Sequence, residues 1–207
     1  MTAALTKYAE AFGAVESAAG APAWLAELRK AAHAEFSAIG FPTTRNEDWH
    51  YTSVTPIAER TFRALKPTAT PAAPASTAEP SPADLVDRAV GEASWPRAVF
   101  VNGRFESALS SLGALGKGVR VSTLTAALKE QPDFVAAHLG KLAAWNTQAF
   151  TAFNTAFAQD GLVVHVPRGT KVEAPLHVIH VADAQAAGCM IHPRLLVVVE
   201  PLAEFAI

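Results

Sequence analysis

The feature that most constrains the fold is an abrupt change of hydrophobic pattern at Asp160-Gly161. Three short runs rich in β-branched residues follow, at 162–166, 176–181 and 195–199, separated by proline, glycine and polar residues. Runs of this kind predict strands. The stretches between them are short for intervening helices, so they favour stacked turns of a β-solenoid over a Rossmann-type sheet with crossover helices.

The beginning of the chain predicts helices. Apolar residues recur at three- and four-residue steps over about 4–18 and again over 22–39, where Pro22 begins the helix and Gly40 ends it. Thr55 followed by Pro56 predicts the cap and first turn of a short helix that continues to about residue 62. We assign residues 1–65 to an N-terminal helical region.

The middle of the chain predicts a linker and then a mixed region. Residues 66–82 are rich in proline and alanine and contain no large apolar anchor, which is typical of a semi-extended linker. Residues 83–159 form the mixed region, which begins with a helix capped by Ser81. Its further predicted elements are a hairpin with strands at 97–101 and 104–109 around Asn102-Gly103, a strand at 119–121, and helices near 123–130, 132–143 and 147–158. Residues 160–207 then form the first turns of the solenoid.

Composition and charge exclude several classes of protein. The chain has 17 Lys+Arg against 19 Asp+Glu, and this near balance argues against a nucleic-acid-binding surface. We expect a cytoplasmic protein with no membrane contact, because neither a signal peptide nor an apolar run long enough to span a bilayer is present. Cys189 is the only cysteine, so it can form neither an intramolecular disulfide nor, by itself, a metal site.

The loop at 42–52, with the sequence PTTRNEDWHYT, mixes charged residues with aromatic rings and could bind an anion or perform acid–base chemistry. A structural role is favoured. In this interpretation Arg45, Glu47 and Asp48 form ion pairs and cap turns, while Trp49 and Tyr51 pack against the second helix.

Other candidate ligands do not form a complete set. Cys189 and His192 are three positions apart, but a four-coordinate site needs more ligands than these two. His177 and His180 fall on opposite faces of a predicted strand, and His165 could approach one of them only from a neighbouring turn of the solenoid. The segment 167–171 lacks the spacing of a phosphate loop and predicts a tight turn. We therefore expect no catalytic, cofactor-binding or metal-binding residue in this chain, and no enzymatic activity.

Three motifs carry a resemblance to a known family. They are GFPTTRNEDWHYT at 40–52, FVNGRF at 100–105, and AFTAFNTAF at 149–157 with the segment that follows it to residue 176. In this order and spacing they resemble the SufB/SufD family of iron-sulfur cluster assembly proteins, and most of all its SufD branch. The most specific element is R-x-E-D-W after a helix and a G-F-P turn.

The resemblance implies an α+β fold, in which an N-terminal helical domain is followed by the start of a right-handed parallel β-helix. It also implies a scaffold or accessory subunit of the SUF system that acts with SufB and the SufC ATPase. This chain alone would bind no cofactor, since the iron-sulfur cluster is handled by the complex. Family members are considerably longer, so we expect a truncated β-helix here, with the regions that contact SufB and SufC lying beyond Ile207.

Two alternative functions remain open. A β-helix enzyme acting on polysaccharide would need acidic and basic side chains stacked on one outer face, whereas the predicted strands carry mainly Val, Leu and His. The other alternative is a truncated fragment with no independent function.

Overall fold

The computed structural model describes residues 2–16, 21–64, 80–89, 91–113 and 115–207. The fold is α+β, and its elements divide into two units by their contacts. Unit 1 comprises residues 1–64, 128–159 and 188–192, and unit 2 comprises residues 65–127, 160–187 and 193–207. The helices are α1 (Thr2–Glu16), α2 (Ala23–Ile39), α3 (Thr55–Ala58), α4 (Pro82–Asp87), α5 (Leu124–Glu130), α6 (Pro132–His138) and α7 (Ala149–Phe157). The strands are β1 (Arg63–Ala64), β2 (Arg97–Val101), β3 (Arg104–Phe105), β4 (Arg120–Thr123), β5 (Leu162–Val166), β6 (His177–Val181), β7 (Cys189–Met190) and β8 (Leu195–Val199).

Unit 1 is built around aromatic side chains from three helices. We call this set, which consists of Tyr8, Phe12, Phe36, Phe153 and Phe157, the aromatic cluster. Its members on α1 and on α7 lie four residues apart, so each of these two helices presents one apolar stripe, and α2 contributes one ring. The unit also contains a parallel pairing of β1 with β7, in which Arg63 lies opposite Cys189.

Unit 2 is built around two three-stranded sheets, with the strand orders β3-β2-β6 and β4-β5-β8. The pairs β2–β6 and β5–β8 are parallel, whereas β2–β3 and β4–β5 are antiparallel. One apolar core of this unit includes Leu162, Val164, Val166 and Leu176. A second core includes Val86, Val99, Ile179 and Val181.

A hairpin turn and a helix cap in unit 2 have the conformations that their residues predict. Asn102 and Gly103 both have positive φ angles, 51° and 78°, as a type I′ hairpin turn requires. The Ser81 hydroxyl accepts a hydrogen bond from the Asp84 backbone N–H, and the Asp84 carboxylate accepts one from the Ser81 N–H. This reciprocal capping fixes the start of α4.

Several predicted boundaries differ from the observed ones. The second hairpin strand ends at Phe105 instead of continuing to 109, and α6 ends at His138 instead of 143. The predicted cap at Thr55 is wrong: Val54 occupies the cap position and Thr55 is the first helical residue. The pairing of β1 with β7 was not predicted. Residues 66–79 of the predicted linker at 66–82 lie outside the described residues.

None of the helices in the described ranges is both long and apolar enough to cross a membrane.

Candidate functional site

Three charged or titratable side chains meet on the sheet β4-β5-β8, and we call them the polar triad. Arg120 of β4 lies directly opposite His165 of β5, and Glu200 follows the last residue of β8. The Nη2 atom of Arg120 is 3.3 Å from Nδ1 of His165, and Nε2 of His165 is 2.7 Å from Oε1 of Glu200. The histidine is only 8% exposed. The triad therefore joins three strands through one buried imidazole.

The partners of His165 determine which ring nitrogen carries the proton. A guanidinium can only donate, so Nδ1 of His165 accepts from Arg120 and Nε2–H donates to the Glu200 carboxylate. The other carboxylate oxygen of Glu200 accepts from the Arg168 backbone N–H at 3.0 Å. The hydrogen bond from His165, followed by that from Arg168, lowers the pKa of Glu200 below its usual value.

This arrangement links elements that are distant in sequence. Each nitrogen of His165 is engaged with a partner from another strand or turn. In the sequence-based prediction, any site that His165 shared with another histidine would include His177 or His180. Instead it lies in the sheet of β4 and β8, whereas both other histidines lie in the sheet of β2 and β3.

The loop at 42–52 has a well-defined local structure. The Asn46 side chain accepts a hydrogen bond from the Thr43 backbone N–H at 2.9 Å, and the His50 ring lies 3.2 Å from the Thr44 carbonyl oxygen. Glu47–Trp49 form a single turn of 3-10 helix. The Trp49 ring lies 5.1 Å from that of Phe150. Trp49 therefore packs against α7, whereas its predicted contact with α2 stays a prediction.

The prediction for Tyr51 is wrong. Its side chain is 96% exposed and packs on no helix; the ring contact it makes is with the neighbouring His50, at 4.7 Å between centroids. Arg45, Glu47 and Asp48 are all exposed, and in the described part of the chain they form none of the expected ion pairs. This loop is anchored by polar groups of its own, by the buried proline at its start and by one indole.

Cys189 and His192 have different surroundings, although both belong to unit 1. The Arg63 Nε–H donates to Sγ of Cys189 at 3.2 Å. The His192 ring instead stacks on Phe157, with 5.4 Å between centroids, and meets the edge of Phe153 at 4.9 Å. The two side chains thus contact different groups.

His177 and His180 lie on opposite faces of β6, as predicted. Ile179, on the face of His177, packs with Val86 and Val99, whereas Val178, on the face of His180, packs with the core around Leu162. The segment 167–171 is a tight turn, closed by a hydrogen bond from the Thr170 N–H to the Pro167 carbonyl. Across the described ranges, three or more His, Cys, Asp or Glu side chains nowhere gather into a possible metal site.

Sequence reasoning singled out His165 but missed Arg120 and Glu200. The triad depends on the register of β4 and β8 against β5, and these strands are distant in sequence. The signal that could have found these two residues is a polar side chain on the same sheet face of neighbouring strands.

The described residues thus define an α+β protein with parallel strand pairs, an aromatic helical unit and one polar triad around a buried histidine. A family model described as the SufBD protein N-terminal region matches residues 4–178. An iron-sulfur cluster assembly SufBD family protein of Synechocystis sp. is 28% identical over 183 residues, which cover 88% of this chain and 38% of that protein. The chain belongs to the SufBD family. It matches well under half of the length of this relative.

Proposed function

We propose that the gene product containing this chain is a scaffold or accessory subunit of the SUF iron-sulfur cluster assembly system. The observation that carries the proposal is the family match over residues 4–178, together with the relative named as an iron-sulfur cluster assembly protein. The subunit is of the SufD type, works in the cytoplasm, and acts with SufB and the SufC ATPase. It is not an enzyme, and the cluster is handled by the complex.

The strand register supports the further proposal that unit 2 begins a right-handed parallel β-helix. Leu162 pairs with Leu195 and Lys171 pairs with Glu204, both in parallel, and the two pairs have the same separation along the chain. The Leu176 N–H also donates to the Ala206 carbonyl. In the first two pairs the chain returns beside itself after 33 residues, and a return of this kind is typical of one solenoid turn laid on the next.

The proposal is tested on the gene product in its own cells. An affinity tag is placed on the chromosomal copy, and the proteins that co-purify under iron limitation are identified by mass spectrometry, with an untagged strain as the control. We expect SufB- and SufC-like subunits in comparable amounts. If they are absent from the tagged preparation but assemble with each other, the proposed role is wrong.

A second test addresses the chain alone. We expect that the purified 207-residue chain neither hydrolyses ATP nor retains a cluster after anaerobic reconstitution, since it has one cysteine and no nucleotide loop. The readouts are phosphate release and the visible absorption of a cluster, with Cys189→Ser as the matched variant. A stoichiometric chromophore that disappears in Cys189→Ser would contradict the proposal.

A further inference from the structure

Gly188–His192, which we call the clip, is attached to unit 1 through β1 and the aromatic cluster. From residue 160 onwards the chain belongs to unit 2, apart from this segment. The clip pairs with β1 through two residue pairs, and the Arg63 N–H donates to the Gly188 carbonyl at 3.0 Å. Such a short pairing contributes little stability by itself. The side chains of the clip therefore carry much of its attachment.

His192 extends from the clip into the aromatic cluster, against which Met190 also packs. Its ring stacks on Phe157 and contacts the edge of Phe153. Its Nε2 atom is buried and has no hydrogen-bond partner. A neutral imidazole can occupy this position as an aromatic ring, but an imidazolium there would leave a charge and an N–H donor without a partner.

Other titratable or charged groups surround the same helices. On α2, His33 lies 6.4 Å from Phe157 between ring centroids, and Arg29 donates from Nη2 to the carbonyl that follows α7. Burial lowers the pKa of His33, while Glu16 opposes this shift. Arg63 lies beside the clip on β1. No carboxylate is paired with His192 in the described part of the chain, so nothing there compensates a positive charge on its ring.

The direction of the pH effect follows from burial. Burial lowers the pKa of His192 to about 4, from the ordinary value of 6.5 that the ring regains when it is exposed. Between these values the exposed ring binds more protons than the buried ring. The release of the His192 ring from the aromatic cluster therefore becomes more favourable as the pH falls from about 6.5 to about 4. Below that range the free energy of release does not change further.

We propose that the clip is an acid-released segment of unit 1. Protonation of His192 withdraws its ring from Phe153 and Phe157 and separates β7 from β1. The packing of α1, α2 and α7 around the other rings persists, because their mutual contacts do not involve the clip.

Cys189 provides a built-in reporter, since it is the only cysteine and lies in β7. The full 207-residue chain is reacted with dithiodipyridine, which remains reactive at acidic pH, in buffer and in urea at each pH. The ratio of the unfolded rate to the native rate gives the protection of the thiol and cancels the intrinsic effect of pH on its ionisation. The thiol is only partly buried, so opening accounts for part of its native reaction rate, and we expect its protection to fall by at most about 20-fold between about pH 7 and about pH 5.

Two variants separate this mechanism from general acid unfolding. His192→Phe keeps a ring in the cluster and should make the protection of Cys189 independent of pH over that interval. His138→Gln removes an exposed histidine of unit 1 and should leave the wild-type profile unchanged. Far-UV circular dichroism, recorded alongside, should stay constant while protection falls. Loss of the helical signal in step with protection, or an equal fall in His192→Phe, would overturn the proposal.

A measurement on the wild-type chain tests the proposal without requiring that any variant folds. Amide exchange of the clip, followed by mass spectrometry and normalised to the unfolded rate, should accelerate over the same pH interval. Peptides from α2 and α7 should keep their protection. If neither the clip amides nor Cys189 lose protection, the clip does not open with acid and the proposal fails.

Discussion

The two units of this chain are stabilised in different ways. In unit 1, rings from distant helices contact one another directly: Phe153 lies 5.0 Å from Tyr8, 4.5 Å from Phe36 and 4.9 Å from Phe157 between centroids. In unit 2, the core side chains are mainly Val and Leu, and the elements are joined by backbone pairing in register. Unit 1 depends on a few large side chains, whereas unit 2 depends on the close approach of backbones.

The difference predicts which kind of substitution each unit tolerates. A ring that touches several other rings cannot be shortened without leaving a cavity, and the cost depends on the volume removed. A strand that lies against neighbouring backbone can lose a methyl group at lower cost, but it has no room for an added atom at a point of backbone contact.

The largest effect is expected for Gly161→Ala. A Cβ atom at this position would overlap the carbonyl oxygen of Arg194, which accepts a hydrogen bond from the Leu162 N–H, so only backbone movement could relieve the clash. We expect a loss of about 5 kcal/mol in the free energy of unfolding, or no folded protein. Urea denaturation measures this change.

Gly13→Ala is the matched control for that substitution. Gly13 lies in α1, and nothing is within 4 Å of the position that a Cβ would take. Here we expect a gain of about 1 kcal/mol, because alanine favours a helix over glycine. Similar effects of the two variants would mean that backbone contact does not distinguish Gly161.

The next prediction compares a substitution in the core of unit 1 with one in the core of unit 2. Phe153→Ala removes the ring at the centre of the aromatic cluster and should cost about 4 kcal/mol, whereas Val164→Ala in β5 should cost about 2 kcal/mol. Hydrogen exchange measured by mass spectrometry assigns each loss to a unit. An equal loss of protection in both units for either variant would show that they unfold together and would weaken the contrast drawn above.

The smallest effect concerns the loop at 42–52. Trp49→Ala loses the contact with Phe150 and should lower the free energy of unfolding by about 1 to 2 kcal/mol. Tyr51→Ala removes a ring that is 96% exposed, so we expect a change within about 0.5 kcal/mol. Denaturation midpoints of the two variants test this order. A larger cost for Tyr51→Ala would mean that its ring packs in solution.

Strands with a long local signal could be predicted from the sequence. The runs at 162–166 and 195–199 agree with β5 and β8, because each consists of β-branched and leucine residues bounded by turn residues. The hairpin turn at Asn102-Gly103 was predictable for a related reason: its positive φ angles follow from these two residues alone.

Features that depend on distant partners could not be predicted in this way. The strands β1 and β7 have two residues each and no periodicity, so only their pairing makes them strands. The polar triad likewise requires the register of three strands, and the exposure of Tyr51 follows from the direction in which the loop leaves Trp49. In each case the residue types were visible, but their neighbours were set by tertiary structure.

The distribution of unit 1 along the chain affects its synthesis. The helices α1 and α2 are complete by residue 39, but α7, which supplies Phe153 and Phe157, ends at residue 157. At common rates of translation, about ten seconds pass before these partners of Tyr8, Phe12 and Phe36 are synthesised. During that interval an apolar helical surface is exposed on the nascent chain. We therefore expect the ribosome-bound chain to be a substrate for chaperones that recognise exposed aromatic residues.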